Sequence, residues 1–139
     1  MKTLSCGVIV LNEFDQILIG HATGQTHWDL PKGTIEDNEL PIECALRETY
    51  EEFNLSIPKE SLIDLGEKHY NASKNLHLYL WNVKKADIYL EQCDCKSLFN
   101  YNGYMIPEID NYKWIDISEI ETHMAKSMVK VLQDMFAVE

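Results

Sequence analysis

Gly33 to Leu55 reads GTIEDNELPIECALRETYEEFNL, and this stretch decides the fold. Pro41 suits the first turn of a helix, and the pattern stays helical to about Phe53. Asn54 tolerates the left-handed conformation that ends helices, and Pro58 prevents resumption. At roughly 100° per residue, with Glu48 at zero, Glu52 falls near +40° and Glu51 near −60°. Ala45, Thr49, Ile42, Phe53, Leu46 and Tyr50 fall between about +60° and +200° on that scale, an apolar stripe suited to a sheet. Like charges three and four residues apart destabilise a bare helix by a few tenths of a kcal/mol per pair. A hard divalent cation, Mg²⁺ or Mn²⁺, reverses that sign because it takes oxygen ligands. Arg47 reaches Glu51 at i+4 and holds one carboxylate in place. The competing reading is a solvated acidic face. Gly33, a further acid at Glu39 and the Arg47-Glu48 pair in the same short segment weigh against it.

Outward from this helix the chain reads as short strands. Leu4 to Leu11 (LSCGVIVL) is mostly apolar and is expected to be central. Asn12 to Asp15 reads as a turn, and Gln16 to Ala22 as a second strand completing a hairpin. Leu62 to Tyr70 and Leu76 to Val83 read as strands, the latter alternating Leu76, Leu78, Leu80 with His77, Tyr79, Trp81. Ile88 to Glu91 is expected to add a short strand, Gln92 to Ile109 a long loop, and Tyr112 to Ile115 another strand. Ser118 with Glu121 matches a capping box for a short helix. Ala125 to Ala137 reads as the last helix, with Met128, Val131, Leu132, Met135 and Phe136 on one face.

A chain of 139 residues implies one domain, 1–139, with a core that needs no disulfide or metal staple. Composition is 45% hydrophobic and 25% charged, ordinary for a globular protein. No apolar run approaches the roughly 20 residues of a membrane span. Met1-Lys2-Thr3 leads into only the short apolar stretch Cys6 to Leu11, too short for a signal peptide. A cytoplasmic location follows as an expectation. Cys6 and Cys44 sit in apolar patterns as core residues, and Cys93-Asp94-Cys95 lacks a second pair at zinc spacing. A net charge of −11 disfavours a general binder of long nucleic acid, which would carry a basic face. A polyphosphate substrate would need cations to offset that charge.

The 33–55 segment resembles the Nudix box, G-x5-E-x7-R-E-U-x-E-E-x-G-U, where U is a bulky aliphatic. Gly33, Glu39, Arg47-Glu48, Glu51-Glu52 and Leu55 fill its positions, while Thr49 replaces an aliphatic and Asn54 a glycine. Neither departure removes a carboxylate. The resemblance implies an α/β fold, a mixed β-sheet sandwiched between helices (α/β/α). It also implies a metal-dependent hydrolase that cuts a phosphoanhydride bond with Mg²⁺ or Mn²⁺. The Gly33 carbonyl and Glu48, Glu51 and Glu52 would hold the metal. Glu108, after Pro107, would be a further ligand or base, with a solvated loop acid as the alternative. Glu51 is the first candidate for the base that deprotonates water and Glu48 the second, with Arg47 in support. The chemistry agrees: phosphoanhydride cleavage needs neutralised phosphate oxygens, a positioned water and a base.

Upstream, Thr26-His27-Trp28-Asp29-Leu30-Pro31-Lys32-Gly33 is similar to the dinucleoside polyphosphate (diadenosine tetraphosphate) hydrolase branch. It is also similar to the diphosphoinositol polyphosphate phosphohydrolases and, more loosely, to RNA 5′-pyrophosphohydrolases. Lys32 would then contact phosphate, the alternative being a solvated lysine. His27 and His21 flank the site as phosphate contacts or ordinary loop histidines. Tyr79 and Trp81 would stack on a base or be half-buried packing, and Tyr101 and Tyr104 are alternative platforms. The expected partner is a nucleotide or dinucleoside polyphosphate, with no membrane, and the chain a monomer or homodimer. A nucleotide-sensing module without catalysis would usually lose box acids, and all are present. An isomerase on the same fold lacks a clear cysteine and histidine site here. Lys32→Ala is expected to lower kcat/KM for tetraphosphates more than for small diphosphates; equal losses would remove the reason for favouring the dinucleoside class.

Overall fold

Six consecutive residues of β1 (Thr3–Leu11), Ser5 to Val10, are buried, so both faces of the strand meet protein. A strand covered on both sides is built from a near-continuous apolar run, which is how this one reads. In this computed structural model, which describes residues 2–136, β1 pairs in parallel with β6 (Lys74–Asn82) along its whole length. β5 (Ile63–Asn71) lies antiparallel to β6 at one edge. On the other side β2 (Gln16–Ala22) pairs antiparallel with β9 (Ile109–Asp116) and with the short β3 (Trp28–Asp29). The main sheet is therefore mixed.

The expected hairpin of β1 and β2 is only a corner, paired at Leu11↔Ile17. Below it β4 (Lys32–Thr34) takes the place beside Ser5, Cys6 and Gly7. Gly7 allows this, because a Cβ there would stand 2.5 Å from the Pro31 carbonyl oxygen and 2.6 Å from Lys32 Cβ. The insertion delivers the 26–33 segment to the middle of the sheet.

α1 (Pro41–Phe53) covers one face, packing Cys44, Ala45 and Phe53 against Cys6, Val8, Val10 and Leu18. α2 (Ile120–His123) and α3 (Lys126–Phe136) cover the other, where Met128, Val131 and Leu132 meet Ile9, Ile17, Ile19, Leu76 and Leu78. This is the α/β/α sandwich expected. Burying each large aliphatic or aromatic side chain contributes roughly 1.5–3 kcal/mol. Ala137, the expected end of the last helix, lies outside the described residues.

α1 is turned differently from its apolar stripe. Cys44, Ala45, Glu48, Thr49, Glu52 and Phe53 are buried, whereas Tyr50 is 45% exposed. Two of the three glutamates thus face inward. Ile88–Glu91 forms no strand; 3-10 turns at Lys85–Asp87 and Leu90–Gln92 replace it. Its alternation reflects one-sided packing of Ile88 and Leu90 against the α1 side of the core. The capping box at the short helix uses Asp116 and Glu119, not Ser118 and Glu121. Both pairs fit the pattern, but β9 runs to Asp116 and the chain turns there, with the Ile117 amide donating to Asp15 O at 3.1 Å. The expected loop Gln92–Ile109 contains a separate hairpin, β7 (Leu98–Tyr101) and β8 (Tyr104–Pro107). The Asn102-Gly103 turn with both φ positive was its legible signal.

Asn54 ends α1 at φ 57°, ψ 34°, its amide donating to Tyr50 O. Asn54→Ala is expected to cost about 1–2 kcal/mol, because alanine keeps the Cβ in the left-handed region and lacks the polar side chain that makes it tolerable there. Asn54→Gly should lose only the side-chain bonds to Gln92 O and Lys96. Urea unfolding of both variants checks the ordering.

Candidate active site

Gly33 lies in the extended strand β4, so what requires glycine is space, not backbone conformation. A Cβ there would sit 2.1 Å from Glu48 Cδ and 2.2 Å from its Oε2. The α1 carboxylates press directly on this backbone. Cys44 Sγ donates to the Gly33 carbonyl at 3.4 Å from behind, and Cys6 and Cys44 are fully buried core thiols.

Arg47 organises the acids. Its Nε and Nη2 donate to the two carboxylate oxygens of Glu39 at 2.7 and 3.0 Å. Nη1 donates to Glu48 at 2.9 Å and Glu51 at 3.2 Å, and Nη2 reaches Thr34 O at 3.2 Å. The Glu39 contact is the largest influence raising the arginine's pKa, and Arg47 in turn holds Glu39 below the usual carboxylate range. Arg47 therefore stays charged and ties the 33–39 loop to the helix.

Glu52 is 6% exposed, and its Oε1 accepts the Lys32 amide at 3.1 Å. Its carbonyl accepts from the Tyr112 hydroxyl. Burial, then the charge of Glu48, pushes Glu52 up to about 9. Burial raises Glu48 as well, against the opposing pull of Arg47. Glu51 has 37% of its side chain exposed and is the most open of the three. Glu108 follows β8 and faces these acids, raising the pKa of both Glu48 and Glu52.

A cavity of about 220 Å³ opens between Ala22, Asp29, Leu30, Lys32, Glu52, Glu108 and Ile109. A larger one, about 610 Å³, lies by Ile117, Ile120 and Phe136; its acids are Asp15 and Glu121 and none comes from α1, so volume alone does not locate the chemistry. Lys32 Nζ pairs with Asp29 at 3.1 Å. Burial, the largest single influence, pushes the Lys32 pKa down, but Asp29, Tyr70 and Glu52 together outweigh it and the net direction is up. Lys32 Nζ also stands 5.7 Å from the Tyr70 ring centroid, and Lys74 Nζ 6.0 Å from the same ring. Burial and the charge of Lys32 lower the pKa of Lys74. Asp29, Tyr70 and Lys74 were not singled out from sequence. Asp29 stands three residues before Lys32, but the strand lysine and tyrosine carry no local signal.

Other expected contacts fall elsewhere. Tyr79 is 4% exposed on the α1 side of β6, stacked on His77 at 4.9 Å. Trp81 is half-buried against the same core. Neither lines the carboxylate cavity. His21 is held between Asp110 at 2.6 Å and Gln25 O at 2.8 Å, edge-on to Trp28. His27 is half-buried in the loop after β2, its carbonyl accepting from the Ala22 amide.

Among the described residues, no three acidic, histidine or cysteine side chains already converge as a metal cage. Glu48 and Glu51 lean to Arg47, and Glu52 to the Lys32 amide. The donor set still fits a hard divalent ion. It is all oxygen, two of its carboxylates are buried at raised pKa, and Gly33 leaves the space a Cβ would fill. This framework is that of hydrolases acting on acid anhydrides of phosphate.

A family model for the NUDIX domain matches residues 1–135. An uncharacterized 17.7 kDa protein of Enterobacteria phage T4 is 32% identical, covering 98% of this chain and 97% of that protein. The RNA pyrophosphohydrolase of Vibrio vulnificus is 29% identical over 81% of this chain and 69% of that protein. A Caenorhabditis elegans (C. elegans) Ap4A hydrolase superposes with a TM-score of 0.69 at 20% identity, covering 97% of this chain and 96% of that one. The chain belongs to the Nudix family of hydrolases, which act on nucleoside diphosphate-linked substrates and generally use divalent metal ions. Among the described residues no helix is long and apolar enough to cross a membrane.

The raised carboxyls set a pH dependence. A carboxyl whose folded pKa lies above its unfolded value stabilises the fold below the unfolded pKa, and that stability is lost as pH rises through the folded value. With divalent ions chelated, Tm is expected to fall by several degrees between about pH 5 and 9. Glu52→Gln should flatten that slope; an unchanged slope would remove Glu52 as its source.

Proposed function

We propose that this chain hydrolyses a phosphoanhydride bond of a dinucleoside polyphosphate such as diadenosine tetraphosphate, with Mg²⁺ or Mn²⁺ held by the Gly33 carbonyl, Glu48, Glu51, Glu52 and Glu108. One observation carries the reading: Glu108 and the buried Glu52 line one cavity together with the lysine Lys32, and buried Glu48 stands close enough for its charge to act on Glu52 and to feel that of Glu108. A bound divalent ion would offset the charge of phosphate oxygens and acidify water. The remaining roles belong to the chain. Glu51, the most open of the three helical acids, takes the proton of the attacking water, with Glu48 as second candidate. Arg47 holds both at fixed positions through its Nη1. Lys32, with Lys74 behind it, offers positive charge to the polyphosphate, and His27 adds a contact from the loop before it. Tyr70, between the two lysines, offers an aromatic face that Tyr79 and Trp81 do not.

A second reading is an RNA 5′-pyrophosphohydrolase, favoured by the likeness to the Vibrio vulnificus protein. The net charge of −11 argues for short substrates instead. Diphosphoinositol polyphosphate would be a third substrate, and a nucleotide-sensing module would bind without turnover.

A product-resolved screen with Mg²⁺ and Mn²⁺ over dinucleoside polyphosphates, triphosphorylated RNA and inositol pyrophosphates separates these readings. Glu51→Gln and Glu52→Gln are expected to lower kcat by at least about 10²-fold, the scale of general-base catalysis, with the fold kept by circular dichroism. Unchanged rates would remove the site assignment.

A further inference from the structure

The hairpin β7–β8 stands outside the main sheet, yet both its ends are tied to the carboxylate site. The Lys96 amide, just before it, donates to Glu51 O at 2.6 Å. Its return strand leads into Glu108, whose carbonyl accepts the Thr23 amide at 2.9 Å, while Thr23 Oγ1 donates to Pro107 O at 2.7 Å. Opposed pairs Phe99↔Ile106 and Tyr101↔Tyr104 share one face of the hairpin. That face is turned toward the loop after β2, since the Tyr101 ring lies 3.0 Å from where a Gly24 Cβ would be. Phe99 fixes the ring edge-on, centroids 5.9 Å apart. Beyond that contact Tyr101 is 44% exposed and Tyr104 74%.

Ser97 to Pro107 contains no charged residue, in a chain of net charge −11. Isolated exposed apolar residues need no explanation. Here Leu98, Tyr101, Tyr104 and Met105 are exposed together on one short hairpin at the rim of the site. An uncharged aromatic wall beside acids and lysines suits a flat, neutral group attached to a phosphate chain. Tyr104 stands four residues from Glu108, about 13 Å at the strand rise of ~3.3 Å per residue, which leaves room for a ribose and its phosphates between them.

We propose that this hairpin is a nucleobase-binding wall, with Tyr104 and Tyr101 stacking on the base of the nucleoside whose phosphates lie at Glu48, Glu51, Glu52 and Glu108. The inference rests on the hydrolase reading above and adds the element that selects nucleotides over other diphosphates. Stacking of this kind accepts any base, because every base has a π-face.

The test is calorimetric binding with Mg²⁺ of α,β-methylene-ADP and of methylenediphosphonate, which lacks ribose and base. Tyr101→Ala/Tyr104→Ala is expected to raise the Kd of α,β-methylene-ADP about tenfold or more and leave that of methylenediphosphonate unchanged. Tyr104→Trp should retain nucleotide affinity. Tyr104→Ala alone, at a largely solvated position, provides a variant whose fold is not at risk. Equal losses for both ligands, no loss for either, or a wild type that binds both alike would overturn the proposal. So would concentration-dependent dimerisation abolished by Tyr104→Ala, which would assign the wall to a second copy. Failure of the hydrolase reading shows separately, as base-dependent binding without turnover of any phosphoanhydride.

Discussion

Two carboxylates that α1 turns into the protein, Glu48 and Glu52, set the terms for their surroundings. Removing an unpaired ion from water costs several kcal/mol even after relaxation, so each needs a compensating contact. Arg47 supplies one to Glu48 and the Lys32 amide supplies one to Glu52. Neither contact fully neutralises the pair, and both carboxyls keep raised pKa values. The site is built to accept positive charge, whether a proton or a metal ion.

That arrangement depends on how closely two backbones approach. β4 reaches the centre of the sheet because Gly7 has no side chain, and α1 packs onto β4 because Gly33 has none. Arg47 then bridges helix and loop through Glu39 and Thr34 O. The arginine acts as a structural clamp and as a charge beside Glu48 and Glu51. One residue therefore links the stability of the loop to the placement of the acids.

Around the acids the chain divides its surface by chemistry. Lys32, paired with Asp29, and Lys74 flank Tyr70 on one side, two cations close together on a strongly acidic protein. The uncharged hairpin of Tyr101 and Tyr104 rises on another side, anchored through Thr23 and Lys96. On the proposed reading, phosphate and base would meet surfaces of different kinds, and selectivity for a nucleotide over a bare polyphosphate would follow from that division.

The residues between Gly33 and Leu55 alone determined the helix, its ends and the acids on it, because helical spacing, Pro41 and Asn54 act locally. The strands β1, β2, β5 and β6 were legible for the same reason: an apolar run or an alternation needs no knowledge of its partner. Partners were not legible. β1 pairs with β6 and β4 instead of forming a full hairpin with β2, and Tyr79 faces the core while Tyr70 faces Lys32. The inward turn of Glu48 and Glu52 also came only from the tertiary structure. A carboxylate reads as solvent-facing in any local pattern, and only the tertiary structure supplies the space above Gly33 and the reach of Arg47 that accommodate Glu48, and the Lys32 amide that meets Glu52.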